Sequence, residues 1–122
     1  MSGIKAGNRD LVSGMDGTLF KIVVTVPSGP DADAVRQAMG EAGAGKIGNY
    51  SFCSFTLRGT GRFRPEEGAQ PAIGSVGRIE EVEEDRIETV CDRERLEAVL
   101  AAIRSVHPYE EPAIDVYPIM TL

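Results

Sequence analysis

A segment near the C-terminus, from His107 to Pro112, places the strongest constraint on how this chain can fold. It reads His-Pro-Tyr-Glu-Glu-Pro and holds the single histidine of the 122 residues. Proline lacks a backbone N–H and disfavours the helical conformation in the residue before it. A helix approaching this segment must therefore end near Val106, and a new extended run starts after it at Ala113.

Two helices are predicted from apolar stripes at helical spacing. The later one covers 93–106, with Asp92 as its N-terminal cap. Its stripe consists of Leu96, Val99, Leu100, Ile103 and Val106. The earlier helix is predicted over 31–42, with Ser28 or Asp31 as the cap and Gly43 as the stop.

Alternating side chains predict strands over 19–26, 50–57 and 114–120. The segment 79–91 is ambiguous, because its apolar spacing is nearly helical while its second half alternates as a strand does. If it is a strand, the order β-α-β-β-α-β indicates an α+β, ferredoxin-like fold, with a four-stranded antiparallel sheet and both helices on one face. The connection 58–77 is then a long, glycine-rich loop, which is typical of a functional or mobile segment.

The charge balance excludes some classes of function. Thirteen basic and nineteen acidic side chains give a net charge of −6, which argues against sequence-independent binding of nucleic acid and against an anionic membrane surface. No apolar run approaches the ~20 residues that cross a bilayer, and no signal pattern opens the chain, so a cytoplasmic location is predicted. Residues 1–17 are interpreted as a disordered leader or an expression remnant, and 18–122 as a single domain.

The two cysteines, Cys53 and Cys91, lie far apart, each within an apolar run. No C-x-x-C pattern is present, so neither a zinc knuckle nor a thioredoxin-type motif is predicted. Two buried free thiols are expected.

Several motifs in a fixed order resemble one family. The main ones are Gly43–Tyr50 (GAGKIGNY), Cys53–Phe55 (CSF), Gly59–Pro65 (GTGRFRP), Arg86–Glu88 (RIE) and His107–Ala113 (HPYEEPA). Together they resemble the small YqfO-like proteins, which are similar to the domain inserted in some bacterial members of the Nif-three (NGG-one-interacting factor) family. The segment at His107 also resembles the C-terminal motif of CutA, the divalent-ion-tolerance protein.

This resemblance implies the ferredoxin-like fold of CutA and the PII signalling proteins, with a strand at 79–91, and it implies a homotrimer. It does not imply the activity of full-length Nif-three proteins, whose metal-binding, hydrolase-like halves carry several histidines. Relative to CutA, Glu111 stands where a valine is usual, so the resemblance does not carry copper binding across.

Gly43, Gly45 and Gly48 spell G-x-G-x-x-G, but they follow a predicted helix and lead into a strand. A dinucleotide site needs the opposite order, so that phosphate meets a helix N-terminus. We interpret the glycines as a helix exit with positive φ angles. Lys46 and Asn49 remain candidate ligand-binding residues, because such a turn exposes several N–H groups.

Three arginines, Arg58, Arg62 and Arg64, form a local basic cluster in an acidic chain. Guanidinium groups suit carboxylate or phosphate, so these residues and Tyr109 are predicted to bind a small anionic ligand. In PII proteins the connection between the second and third strands is the effector-responsive loop, and this segment resembles it in position. The alternative is that the arginines pair with Glu66, Glu67 or the acids of a neighbouring subunit.

His107, Glu110 and Glu111 form the one imidazole-plus-carboxylate cluster of the sequence. Such N/O donors suit zinc, copper or nickel, so a weak divalent-metal site is a second hypothesis. The alternative is that His107 and Tyr109 end a helix and pack a crossover, while the glutamates face water.

The sequence therefore predicts a non-enzymatic, PII/CutA-like homotrimeric module that binds a small anionic ligand or a partner protein at a subunit cleft. The trimer is expected because the connection 58–77 has few large apolar residues, and Phe63, Pro65, Pro71 and Ile73 would bury against a neighbour. A purely structural oligomerisation module is the alternative. A hydrolase ranks last, because the sequence has no Ser-His-Asp elbow, H-E-x-x-H or P-loop.

Overall fold

A computed structural model describes residues 18–120 of the chain. Its elements follow the order β1 (Leu19–Pro27), α1 (Pro30–Glu41), β2 (Phe55–Phe63), β3 (Glu80–Asp92), α2 (Arg93–Val106) and β4 (Ile114–Ile119). The four strands form one antiparallel sheet in the order β2-β3-β1-β4. The predicted ferredoxin-like fold is confirmed, and the ambiguous segment 79–91 is a strand.

The core lies between one face of the sheet and the two helices. Its fully buried side chains come from β1 and β3 (Ile22, Val24, Val26, Ile87), from α1 (Val35, Met39) and from α2 (Val99, Ile103). The apolar stripes read from the sequence supply the helical half of this core. The opposite face of the sheet, called here the open face, is covered by neither helix. Neither helix is long and apolar enough to span a bilayer.

The N-terminus of α2 agrees with the sequence prediction, and that of α1 does not. Asp92 Oδ1 accepts a hydrogen bond of 3.0 Å from the backbone N–H of Arg95, as an N-cap should. Gly29 occupies the cap position of α1 without a side-chain bond. Ser28 instead donates to Asp85 at 2.6 Å, because the Asp85 carboxylate is buried and needs a donor.

The predicted second strand, 50–57, is wrong in its position. β2 runs from Phe55 to Phe63 and pairs with β3 along its whole length, with Phe55 opposite Glu88 and Phe63 opposite Glu80. It therefore includes residues 58–63, which were predicted to belong to the loop. The segment before it is a loop, since Gly45 N–H donates to Val90 O at 2.7 Å and Phe52 has a φ of 60°. Pairing along β3 overrides the low strand propensity of the two glycines within β2. The long connection is therefore shorter than predicted and spans 64–79.

Candidate functional site

An open cleft of about 590 Å³ lies on the open face of the sheet. Its floor is formed by β2 and β3, and its walls by the connection 64–79 and by the segment His107–Pro112, called here the proline turn. The residues that line it include Gly59, Gly61, Phe63, Arg64, Pro71, Ile73, Glu84, Arg86, Tyr109, Glu110 and Glu111. The volume is in the range of small-molecule pockets, which are mostly apolar with a few polar groups.

Tyr109 joins the proline turn to the sheet. Its hydroxyl donates a hydrogen bond of 2.8 Å to Glu84 Oε2 on β3, and its ring meets that of Phe63 edge to face at 5.6 Å. Burial and the Glu84 carboxylate raise the pKa of the Tyr109 phenol well above its usual value. Tyr109 therefore stays protonated and serves as a donor. A second bond, from Gln70 N–H to Glu110 Oε1 at 3.0 Å, attaches the connection 64–79 to the same turn.

His107 lies beneath the cleft and does not line it. It is buried, with both ring nitrogens in hydrogen bonds: Nδ1 accepts from Tyr109 N–H at 3.1 Å, so Nε2 carries the proton and donates to Thr25 O at 2.8 Å. A metal would have to displace one of these bonds. Within residues 18–120 no group of three or more His, Cys, Asp or Glu side chains is arranged to hold a metal ion. The metal site at His107, Glu110 and Glu111 stays a prediction.

The arginines predicted to bind an anion are already paired with carboxylates. Arg62 contacts Glu81, and Arg64 lies 2.9 Å from Glu66. Both are among the residues that line the cleft, but strand alternation places the Arg62 side chain on the same face of β2 as Arg58, which bonds Asp85 at 3.2 Å. The alternative interpretation of the sequence, in which the arginines pair with acids such as Glu66, thus describes the observed contact of Arg64.

Asp85 is the centre of a buried polar network on the helical side of the sheet. It accepts hydrogen bonds from Ser28 Oγ, Arg36 Nη1 at 3.1 Å and Arg58 Nε at 3.2 Å. The Ser28 bond, with the two arginines, lowers the pKa of the Asp85 carboxyl below its usual value against the opposing effect of burial. Because the network joins α1, β2 and β3 and lies outside the cleft, its role is structural.

Lys46 and Asn49 are exposed and do not line the cleft. They belong to a tight turn in which Ile47 and Tyr50 exchange two backbone hydrogen bonds, of 3.0 and 2.9 Å. Of the predicted ligand residues, the structure thus brings Arg62, Arg64 and Tyr109 together with Glu110 and Glu111 around one cleft. It leaves Lys46, Asn49 and Arg58 outside it.

The cleft residues that were not predicted as site residues include Gly61, Glu84 and Arg86. An acidic run such as Glu80 to Asp85 normally indicates a solvated sheet edge, yet Glu84 is only 8% exposed. Strand alternation gives the missing signal. Ile87 faces the core, so Asp85 shares that side and Glu84 must point to the open face.

The chain is similar to one part of longer bacterial proteins. It is 53% identical over 102 residues to the GTP cyclohydrolase 1 type 2 homolog of Halalkalibacterium halodurans, covering 84% of this chain and 27% of that protein. The homologs from Mycobacterium tuberculosis (52% over 102 residues, 84% and 27% covered) and Bacillus subtilis (48% over 101 residues, 83% and 27% covered) match similarly. The chain thus spans about a quarter of the length of the curated relatives it matches.

Solved structures show the same fold. A Bacillus cereus protein related to NIF3 is 47% identical with a TM-score of 0.74, covering 85% of this chain and 26% of that one. The periplasmic divalent cation tolerance protein CutA of Archaeoglobus fulgidus is 21% identical with a TM-score of 0.63, covering 84% and 85%. No family model matches the chain. The resemblance to the Nif-three-related proteins is nonetheless confirmed by these relatives, with this chain corresponding to a CutA-like segment of about a quarter of their length.

Proposed function

We propose that this chain is a non-enzymatic binding module that assembles as a homotrimer and takes a small ligand in the cleft beside the proline turn. The observation that carries the proposal is the cleft itself, an opening of about 590 Å³ on a sheet face that no helix covers. Apolar walls with a few convergent polar groups are typical of a ligand pocket.

The proposed assembly is supported by the apolar side chains that continue the cleft along the open face. Phe55 is 60% exposed and Leu57 51% on β2, and Tyr117 is 43% exposed on β4. Exposed apolar side chains that share a face mark an interaction surface. A second copy of this chain is the occupant proposed, because the fold is that of CutA and PII-like proteins, for which the sequence resemblance implies trimers.

The basis for self-association differs from the one drawn from the sequence. Phe63, Pro71 and Ile73 are half-buried and Pro65 is buried within their own chain, where they form the cleft wall. They do not need a neighbour to cover them. The proposed self-association is supported instead by the exposed apolar side chains at the start of β2, which lie outside the cleft. If a neighbouring copy packs on Phe55, the cleft lies at the boundary between the two subunits.

The predicted anionic ligand requires Arg62 and Arg64 to leave their present partners. Both pairs are exposed, with side chains more than half accessible. Exposed ion pairs contribute only about 0–1 kcal/mol, so exchange of Glu66 or Glu81 for a ligand carboxylate or phosphate is energetically feasible. The partner-protein alternative would use the same surface.

The relatives carry the name GTP cyclohydrolase 1 type 2 homolog, which describes proteins about four times the length of the matched segment. The proposal gives this segment a role in binding and assembly, and no cyclohydrolase chemistry. The cleft's ionisable groups include no histidine, and its tyrosine is held protonated.

Light scattering coupled to size exclusion tests the assembly. We expect three times the chain mass of 13.1 kDa at micromolar concentration. Phe55→Lys, which places a charge on the open face, should shift the mass toward the monomer. Ala98→Lys makes a matched charge change on exposed α2, on the other side of the sheet, and should not. A monomeric wild type would contradict the proposed trimer.

Thermal-shift screening of nucleotides and metabolites tests the ligand site. A specific ligand stabilises the folded state by mass action. Replacement of Arg62 and Arg64 by glutamine should remove the shift of an anionic ligand, whereas Lys46→Gln, outside the cleft, should leave it unchanged. Equal thermal shifts in wild type, in the Arg62 and Arg64 variant and in Lys46→Gln would show that the ligand does not bind at Arg62 and Arg64.

A further inference from the structure

The buried carboxylate of Glu84 is the polar feature of the cleft that self-association does not explain. Glu84 is 8% exposed and lines the cleft. Oε2 accepts the bond from Tyr109, while Oε1 has no hydrogen-bond or ion-pair partner among residues 18–120. A buried acceptor oxygen that has no donor is energetically unfavourable. The structure therefore holds an acceptor in place for a donor that comes from outside these residues.

The strand beside Glu84 leaves room for such a donor. Gly59 lies opposite Glu84 in the β2–β3 register, and a Cβ atom added there would have nothing within 4 Å. At Gly61 a Cβ atom would collide with Oε1 itself. Because the two glycines have no side chains, β2 leaves room for the carboxylate at Gly61 and an open space next to Gly59.

The uncompensated charge of the cleft is negative. Three arginines line it, and each already has a carboxylate partner: Arg62 has Glu81, Arg64 has Glu66, and Arg86 has Glu88 at 3.0 Å. In the described part of the chain, the lining acids Glu84, Glu110 and Glu111 have no cationic partner. A cation entering the cleft meets carboxylates that have no cationic partner, whereas an anion must first separate an ion pair.

Two aromatic rings complete the environment. Phe63 and Tyr109 both line the cleft, in edge-to-face contact with each other. Aromatic faces attract organic cations within about 6 Å of the ring centre, and the remaining walls, Pro71 and Ile73, suit an apolar body.

We infer that the cleft recognises an organic cation, a small molecule with an amine, amidine or guanidine group that donates to Glu84 Oε1 and an apolar part that lies against Phe63 and Ile73. The inference rests on the proposed function in that it takes the cleft as the ligand site, and it reverses the sign of the ligand charge predicted from the arginines. The volume of about 590 Å³ lies in the range of small-molecule pockets.

Three probes of one shape and different charge test this inference: benzamidine (cation), benzamide (neutral) and benzoate (anion). Binding to wild type is followed by the amide NMR shifts of Gly59 and Gly61 and by calorimetry. We expect benzamidine to bind about tenfold or more tightly than benzamide, since a hydrogen bond to a charged group contributes about 1.5–3 kcal/mol, and benzoate to bind least.

Glu84→Gln should weaken benzamidine binding about tenfold, because it removes the charge and keeps the shape. Glu83→Gln makes the same charge change on the neighbouring, exposed position of β3 and should alter binding less than about twofold. Equal benzamidine binding in wild type and Glu84→Gln overturns the inference. The comparison of the three probes on wild type stands even if the Glu84 variant fails to fold.

The remaining outcomes separate this inference from the proposed function. If the probes shift the cleft amides but benzoate binds more tightly than benzamidine, the inferred preference for a cation is wrong, while the cleft remains a ligand site. No cleft shift in either wild type or the Phe55→Lys protein would overturn both. Shifts in Phe55→Lys alone would show that a neighbouring copy fills the cleft, and would overturn the small-molecule ligand while supporting assembly.

Discussion

Gly61 lies so close to the Glu84 carboxylate that a single methyl group on the glycine would overlap Oε1. The two residues are on neighbouring strands, and the contact fixes where the carboxylate can be. The nearby Gly59, on the same face of the same strand, has no such neighbour. This difference between two glycines in one strand gives a matched pair of substitutions.

Gly61→Ala should destabilise the protein by about 1–3 kcal/mol, because the new methyl group must displace a buried carboxylate. Gly59→Ala should be neutral or stabilising by about 0.5–1 kcal/mol, since alanine lowers the entropy of the unfolded chain. Urea unfolding at one fixed protein concentration measures both. Equal effects of the two substitutions would contradict the contact with Glu84.

The Asp85 network predicts a stability change at acid pH. The folded-state pKa of Asp85 is lowered, first by the Ser28 hydrogen bond, so the stability it contributes is present above the unfolded value near 3.8 and is lost as pH falls toward the folded value. Asp85→Asn should cost about 1.5–3 kcal/mol at neutral pH and flatten the pH dependence below about pH 4.

Asp33→Asn is the matched control for Asp85. Its side chain is 75% exposed, although it also pairs with Arg36, at 2.7 Å. An exposed pair contributes about 0–1 kcal/mol, so the loss should be small and the acid slope should stay as in wild type. Unfolding curves between about pH 2.5 and pH 7 compare the three proteins. If the free energy of unfolding of Asp85→Asn still falls steeply at acid pH, other carboxylates cause that pH dependence.

The two cysteines should differ in reactivity. Burial, with the nearby charge of Asp92, raises the pKa of the Cys91 thiol to about 11, so at pH 8 only about one thiol in a thousand is ionised. Cys53 is only half-buried, against the expectation of two buried thiols. In native protein a thiol reagent should therefore modify Cys53 first. Mass spectrometry with Cys53→Ser as control checks this, and rapid labelling of Cys91 would contradict its burial.

The elements whose signals are local could be predicted from the sequence. The helix 93–106 and its cap Asp92 match the structure because apolar period and capping depend on neighbouring residues. The strand at 79–91 required the family resemblance. β2 was misplaced because Gly59 and Gly61 have low strand propensity, and their pairing depends on β3, which lies distant in the chain.

The site followed the same division. Tyr109, Glu110 and Glu111 form one segment, so their common location could be read from the sequence. These three residues lie close to Arg64 only because the connection 64–79 folds back onto the sheet, and no sequence pattern predicts that fold. Glu84 was missed because an acidic run predicts solvent exposure, whereas strand alternation buries this one member against Tyr109.

His107 joins the end of α2 to β1, and its loss should reduce stability. Its backbone N–H donates to Ile103 O at 2.9 Å, and its ring bonds Thr25 O and Tyr109 N–H. His107→Ala leaves these two partners without the ring, so we expect a loss of about 2–3 kcal/mol. Glu111→Ala, at an exposed position of the same turn, should change the free energy of unfolding by less than about 0.5 kcal/mol.

The same pair of variants tests the metal hypothesis. Since both ring nitrogens have protein partners, zinc must break a buried hydrogen bond to reach His107. We therefore expect calorimetric titration of zinc to give equal heats for wild type, His107→Ala and Glu111→Ala when all three are folded by circular dichroism. A heat present in wild type and lost in both variants would instead support a site formed by His107 and Glu111.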